Sequence, residues 1–350
     1  MTTRRIGLLA ALFTVVLALP AAAEELVVGT FGGTFVDNSK KCHAAAFEKA
    51  TGATVKYVLG SSVQTMAKLR AAGARSELDV AYMDSQIVKQ AKAEGLLQPL
   101  EPAKIAHWND IYDVSRDKDA HWVSMMFAGT MITYNTKLVK EPPTSWADLW
   151  KPELKGRVEV LSEMRDTIGL IMLEQGVDIS KNFTSAQYET AVDELQKHIA
   201  DGQIRQVKGN SYKEDLISGD ALAVIGWSGD IFQINAENGD KWGLTLPEAG
   251  GTLWSDNMLV PVGSPHKTNA EKLMNYYYDP KVAATVEAYV NYICPVQGAK
   301  EEMEKIDPDL AASPWIFPDD ATLAKAKVFR TLTPDEETQY SESFQKVIGN

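Results

Sequence analysis

The feature that most constrains this chain is an alternation of short apolar runs with helix-forming stretches, punctuated by glycine, that starts at residue 26. Residues 26–31 read as a first strand, broken by Gly32-Gly33. A helix follows over 36–51, and Gly52 closes it as a left-handed C-cap would. Residues 53–59 read as a second strand, 63–72 as a helix, 78–83 as a short buried strand and 87–94 as a helix closed by Gly95. This order requires an α/β domain with a mostly parallel sheet. In such sheets ligands gather at the C-terminal ends of strands, and Phe31 and Asp84 fall just past two of them. The pattern resumes further on: strands at 158–161 and 221–225, with helices over 184–200 and 212–217 between them, make a second α/β unit. Residues 259–262 read as a strand returning to a sheet. Thr184-x-x-Gln187, Thr268-x-x-Glu271 and Thr333-Pro334-x-Glu336 each have the form of a capping box at a helix start.

Residues 1–23 stand outside this pattern. Arg4 and Arg5 precede an apolar stretch over 6–19, and Pro20-Ala21-Ala22-Ala23 offers a small-residue cleavage site. That is the layout of a secretory signal peptide, and the apolar stretch is short for a membrane span. No cysteine follows it, so the expected product is exported, soluble and without a lipid anchor. Of the 350 residues 45% are hydrophobic and 23% charged, as in an ordinary globular chain, and the size allows two domains. A net charge of -12 argues against nucleic acid and anionic membrane surfaces as partners. The two cysteines, Cys42 and Cys294, could form a disulfide in an oxidising compartment or remain separate buried thiols. The five histidines show no metal-ligand spacing, and no cofactor is expected.

Several segments line up with one known pattern. Tyr134-Asn135-Thr136-Lys137-Leu138, Pro143-Thr144-Ser145-Trp146-Ala147-Asp148-Leu149-Trp150 and Leu154-Lys155-Gly156-Arg157-Val158 resemble the extracellular solute-binding proteins of ABC importers. Asp279-Pro280 and Asn291-Tyr292-Ile293-Cys294-Pro295-Val296 fit the same family, and the whole looks most like its spermidine/putrescine-binding branch. The resemblance implies an α/β fold of the type II periplasmic binding protein class, with two lobes, a hinge and an interlobe cleft. Lobe one would comprise residues 24–131 plus 257–298, and lobe two 132–256 plus 299–350. It also implies a protein without catalytic activity, which captures a small amine-bearing solute and hands it to a membrane permease; a monomer is the default expectation.

A polyamine site needs carboxylates for the ammonium groups and flat rings along the methylenes. The resemblance puts Phe31, Asp84, Gln86, Trp227, Asp230 and Tyr292 at such positions. For the rings the alternative is core packing; for Asp84 it is a helix N-cap. Glu163 and Asp166, three apart at the start of a helix, share one face and repel unless a cation lies between them. Alternatively they complement the helix dipole, or Arg165 neutralises one of them. Trp254 and Asp256, two apart in an extended segment, point to one face.

One segment departs from the branch. Gly32-Gly33-Thr34 stands where its polyamine binders resemble one another in carrying bulky and acidic side chains. Exposed backbone N–H groups and the Thr34 hydroxyl at a helix start suit an anionic group, which opens a zwitterionic ligand such as an amino acid derivative, an opine or a betaine. The plainer reading is a tight turn. Two other functions compete. A two-acid hydrolase could be drawn from the carboxylates, although the chain has no Gly-x-Ser-x-Gly, His-Glu-x-x-His or phosphate loop. Ferric-ion binding would use Tyr276-Tyr277-Tyr278, which the periodicity instead places on a helix as packing.

Overall fold

The computed structural model describes residues 24–209, 211–239 and 241–349; the expected signal peptide at 1–23 lies outside them. The chain opens with β1 (Glu25–Thr30), α1 (Thr34–Lys41), α2 (His43–Thr51), β2 (Thr54–Leu59), α3 (Ser62–Ala72), β3 (Val80–Asp84) and α4 (Ser85–Ala93). The short β4 (Leu97–Gln98) leads to β5 (Trp122–Asn135). A second unit follows: β6 (Val158–Leu161), α5 (Met164–Glu174), α6 (Ser185–Ala200), β7 (Ile204–Lys208), α7 (Tyr212–Ser218), β8 (Ala223–Trp227), α8 (Ser228–Asn238) and β9 (Trp242–Thr245). Then come β10 (Gly251–Pro261), α9 (Lys267–Tyr277), α10 (Pro280–Val290), several short helices, β11 (Ala326–Lys327) and a C-terminal helix, Pro334–Ile348.

The strands join in a sheet with the order β2-β1-β3-β10-β5-β8-β6-β7. Its two ends are parallel, as the alternation predicted: β1 with β2 and β3, and β6 with β7 and β8. The centre is antiparallel. There β5 pairs with β10 from Trp122 to Thr130, then with β8 from Thr130 to Tyr134. β10 pairs in turn with β3 from Asp256 to Leu259. These two long strands carry the chain between two apolar cores. One core contains Leu26, Val28, Val80, Tyr82 and Met258; the other contains Val158, Ile168, Tyr188, Val224 and Phe344. Two lobes therefore hang on a pair of hydrogen-bonded strands, the arrangement of a hinge.

Most readings of local structure hold. Gly52 closes α2 in the left-handed region at φ 73°, and the capping boxes at Thr184 and Thr333 form in both halves. Others need correction. The helix expected over 36–51 is broken at Cys42, whose φ and ψ are -107° and -101°. The break turns His43 into the core, where its Nε2 lies 3.1 Å from Ser39 Oγ and 3.0 Å from Tyr82 Oη. Thr268 is not a cap: α9 begins at Lys267, and Glu271 is fully buried, accepting from the Glu101 amide at 2.7 Å. The lobe-one segment was expected to end at residue 298, yet Ala299, Met303 and Ala311 pack into the first core. The chain returns to the second core later, where Phe329 and Leu332 join it. Both cysteines are free thiols, Cys42 partly exposed and Cys294 buried, so the separate-thiol alternative is the one realised. Tyr277 and Tyr278 are buried and donate to the carbonyls of Met125 and Ser124 at 2.6 and 2.8 Å. That spends both hydroxyls on packing rather than on iron.

Candidate functional site

The pleat collects the expected side chains on one face. Residues directly opposed on paired strands share a face, and so do residues two apart on one strand. Asp256 stands opposite Asp84, Thr252 opposite Thr130, and Thr130 opposite Trp227. With Trp254 between Thr252 and Asp256, one side of the hinge carries Asp84, Asp256, Trp254, Thr252, Thr130 and Trp227 in sequence. Asp256 and Thr252 are four residues apart on β10, about 13 Å of strand.

Rings line this face from one lobe to the other. Phe31 meets Phe35 edge-on at 5.2 Å between centroids, and Phe35 lies 6.4 Å from Tyr292. Tyr292 lies 6.2 Å from Trp254, Trp254 meets Trp227 edge-on at 6.4 Å, and Trp227 is 6.1 Å from Tyr212. Tyr292 belongs to the first core and Trp254 packs against it, while Trp227 packs against the second. The strip therefore crosses between the lobes. The lobes also touch at Gly229, at the start of α8. A Cβ added there would sit 3.0 Å from the Val290 carbonyl oxygen and 3.0 Å from the Tyr292 ring. Gly229→Ala should hold the lobes apart. The expected result is ligand binding about tenfold weaker, as when the closed population falls tenfold, with a larger radius of gyration in the presence of ligand by X-ray scattering. An unchanged affinity would show that this contact does not limit closure.

The acids behave differently from one another. Asp166 is buried and saturated: one carboxylate oxygen accepts from Thr130 Oγ1 and Thr252 Oγ1, both at 2.7 Å, and the other from Trp227 Nε1 at 3.1 Å. Burial pushes its carboxyl up, and these hydrogen bonds oppose the shift. Asp230 is also occupied, by Tyr212 Oη at 2.8 Å and Lys213 Nζ at 3.1 Å. The expectation of a free ammonium acceptor at Asp230 therefore meets a lysine of the chain already in place. Arg165, expected to neutralise Glu163 or Asp166, pairs instead with Glu337 of the C-terminal helix.

Asp256 stands apart. It is 3% exposed, and among the described residues its carboxylate has no hydrogen-bond donor. Its carboxyl is pushed up to about 8, first by burial and then by the charge of Asp84 across the strands. Asp84 is the N-cap of α4: its Oδ1 accepts from the Gln86 and Ile87 amides at 2.9 and 3.0 Å. Glu163 lies at the exposed edge of this recess. Its carboxyl is raised by desolvation, then by Asp166 and by Asp84, and the nearby Arg165 opposes the shift. Asp84 and Asp256, opposed across the strands, and Glu163, whose charge Arg165 partly offsets, thus form an acidic cluster beside Trp254 and Tyr292.

The remaining expected residues are placed as follows. Gln86 is buried, but its Nε2 donates to the Phe329 carbonyl at 2.9 Å and ties α4 to the segment returning to the second core. Thr34 opens α1, and its side chain lies outside the described ones. Gly33 has φ 64°, a conformation that favours glycine, so the turn accounts for the second glycine of the pair. Sequence reasoning missed Phe35, Thr130, Tyr212, Lys213, Gly229 and Thr252. Phe35 carries a usable signal, four residues after Phe31. The threonines and Lys213 reach the site only through strand register and a turn of helix packing, which leave no mark in their neighbours.

The fold and the site can now be set beside known proteins. Residues 43–318 match the family model described as bacterial extracellular solute-binding protein. The chain belongs to this family. It is 25% identical over 312 residues to the spermidine/putrescine-binding periplasmic protein of Escherichia coli K12, covering 86% of each chain. It is 25% identical over 326 residues to the putrescine-binding periplasmic protein PotF of the same organism, covering 87% of this chain and 86% of that one. The spermidine/putrescine ABC transporter substrate-binding protein PotD from Streptococcus pneumoniae superimposes with a TM-score of 0.81 at 23% identity, covering 93% of this chain and 98% of that one. The fold is therefore the two-lobed periplasmic binding protein fold. Among the described residues, no helix is long and apolar enough to cross a membrane, and no cluster of three or more potential metal ligands occurs.

Proposed function

We propose that the chain is the periplasmic capture subunit of an ABC importer for a small aliphatic amine of the putrescine and spermidine class. It would be exported by its signal peptide without a lipid anchor, act as a monomer, release its ligand chemically unchanged and deliver it to the permease. The observation that carries the reading is Asp256, buried without a partner, opposite Asp84 and beside Trp254 and Tyr292. An alkylammonium supplies what that recess lacks: hydrogen-bond donors and positive charge for the acids, and methylenes for the rings. A cation–π contact contributes about 1–2 kcal/mol at a partly dry site, and a hydrogen bond to a charged group about 1.5–3 kcal/mol. Several such contacts reach about -8 kcal/mol, or micromolar affinity, after the costs of association. The names of the relatives favour polyamines over the zwitterionic alternative.

Binding between lobes favours the closed arrangement, since the ligand touches both sides only there. A thermal-shift series on the mature protein tests the reading. Putrescine or spermidine at a hundred times its Kd should stabilise the protein by about 2.7 kcal/mol and raise Tm by roughly 3–6 °C. Glutamate and glycine betaine should leave Tm in place. A Tm that no amine moves, or that only the zwitterions move, would overturn the assignment.

A further inference from the structure

We propose that the cleft reads a single ammonium group, held by Asp84, Asp256 and Glu163, and gives no electrostatic reward to a second one. The inference rests on the amine-binding reading and narrows it. A diamine gains from its second charge only if a second unoccupied carboxylate waits further along the strip of rings. The two acids beyond Trp254 do not meet that condition.

Asp166 already accepts from Thr130, Thr252 and Trp227, and each of these donors would be left buried without an acceptor if a ligand took their place. Its task is to hold the ring of Trp227 against the ligand and to join the two hinge strands to α5. Asp230 accepts from Tyr212, which in turn accepts from the Trp227 amide at 3.0 Å, and its other oxygen is held by Lys213. A ligand ammonium reaching Asp230 must displace a side chain tethered next to it, at an effective concentration far above that of any free solute. It must also approach the charge of Lys213 itself. The far half of the cleft therefore offers ring faces and a cation, which suits the uncharged stem or tail of an amine. The near half offers a carboxylate pair, Asp84 and Asp256, on directly opposed strand residues, and among the described residues neither is ion-paired. The ligand class this describes is a primary alkylammonium with one charged head; polyamines bind as members of it, by one end.

Calorimetric comparison of putrescine with n-butylamine tests this on the wild-type protein, with no variant needed. The two share a four-carbon stem and differ by one ammonium. The expected result is a Kd for n-butylamine within about fivefold of that for putrescine, of which a factor of two is the statistical advantage of two equivalent heads. Putrescine binding more than a hundredfold tighter than n-butylamine would overturn the inference and leave the amine-binding reading intact. Failure of both amines to bind would remove that reading and this one together. A second arm uses Lys213→Met, at a partly exposed position, which frees one oxygen of Asp230. The putrescine-to-butylamine affinity ratio should then rise at least tenfold, since a second acceptor becomes available; an unchanged ratio counts against Lys213 as the element that closes the far end.

Discussion

Asp256→Asn is expected to weaken putrescine binding by about a hundredfold and, in the ligand-free protein, to raise stability increasingly as the pH climbs from about 5 to 8. The binding loss follows from removing the negative charge of a buried acid that, among the described residues, has no hydrogen-bond donor. Loss of a charge-assisted hydrogen bond costs about 1.5–3 kcal/mol, or roughly ten- to a hundredfold, and the burial of Asp256 puts the effect at the upper end. The stability gain follows from the raised carboxyl. A group held at about 8 in the folded chain, against about 3.9 in the unfolded one, keeps a proton that the unfolded chain has already lost. Between those values the folded state binds more protons, so stability falls as pH rises and levels off above about 8, for a total of a few kcal/mol. Asparagine has no proton to lose and escapes that penalty. Chemical unfolding of both proteins at pH 5, 6, 7, 8 and 9 measures the difference. Parallel pH profiles would show that Asp256 is not a buried, unpaired acid.

The second large effect is expected at Asp166, and it has a different signature. Asp166→Ala removes the acceptor for three donors and leaves the hydroxyls of Thr130 and Thr252 buried with nothing to bond. Each orphaned buried group costs about 1–3 kcal/mol, so a destabilisation of about 3–5 kcal/mol is expected by urea unfolding. Ligand binding should weaken as well, through release of the Trp227 indole, with a change in tryptophan fluorescence even before ligand is added. Asp166→Asn keeps one acceptor oxygen and should recover part of both. If Asp166→Ala instead abolished binding while leaving stability within about 0.5 kcal/mol, the carboxylate would be a direct ligand contact and the positioning role would be wrong.

These two acids show where sequence alone stops. Asp166 and Asp256 are both acids set beside apolar runs, and nothing in the neighbouring residues says which is free. What separates them is register. Thr130 is placed opposite both Thr252 and Trp227 by pairings more than ninety residues apart in the chain, and Asp166 sits over all three. The apolar alternation was legible because it is local: the parallel strands and their helices follow from runs of five to eight residues and from glycines that only tight turns require. The hinge was not. β5 and β10 cross from one core to the other, and each half packs against a different neighbour, so neither reads as one strand. The broken helix at Cys42 was hidden for a similar reason, because His43 is turned inward by partners at residues 39 and 82. The likeness to solute-binding proteins supplied the aromatic positions, and five of the six rings along the cleft were in reach from sequence or lay within four residues of one that was. The distinction between acids that hold the protein and acids that hold the ligand needed coordinates.

The proton on Asp256 gives the most direct measurement of whether a cation enters the recess beside Asp84. Near pH 7 the ligand-free carboxyl is mostly protonated, and an arriving ammonium should convert it to the carboxylate. Titration calorimetry of putrescine into the mature protein, in two buffers of different ionisation enthalpy, counts the protons released. The expected result is one ligand bound per chain with release of between half and one proton, and no release from Asp256→Asn. Binding of an amine with equal heats in both buffers, or no saturable binding of putrescine, spermidine or n-butylamine, would place the ligand somewhere other than this pair of carboxylates.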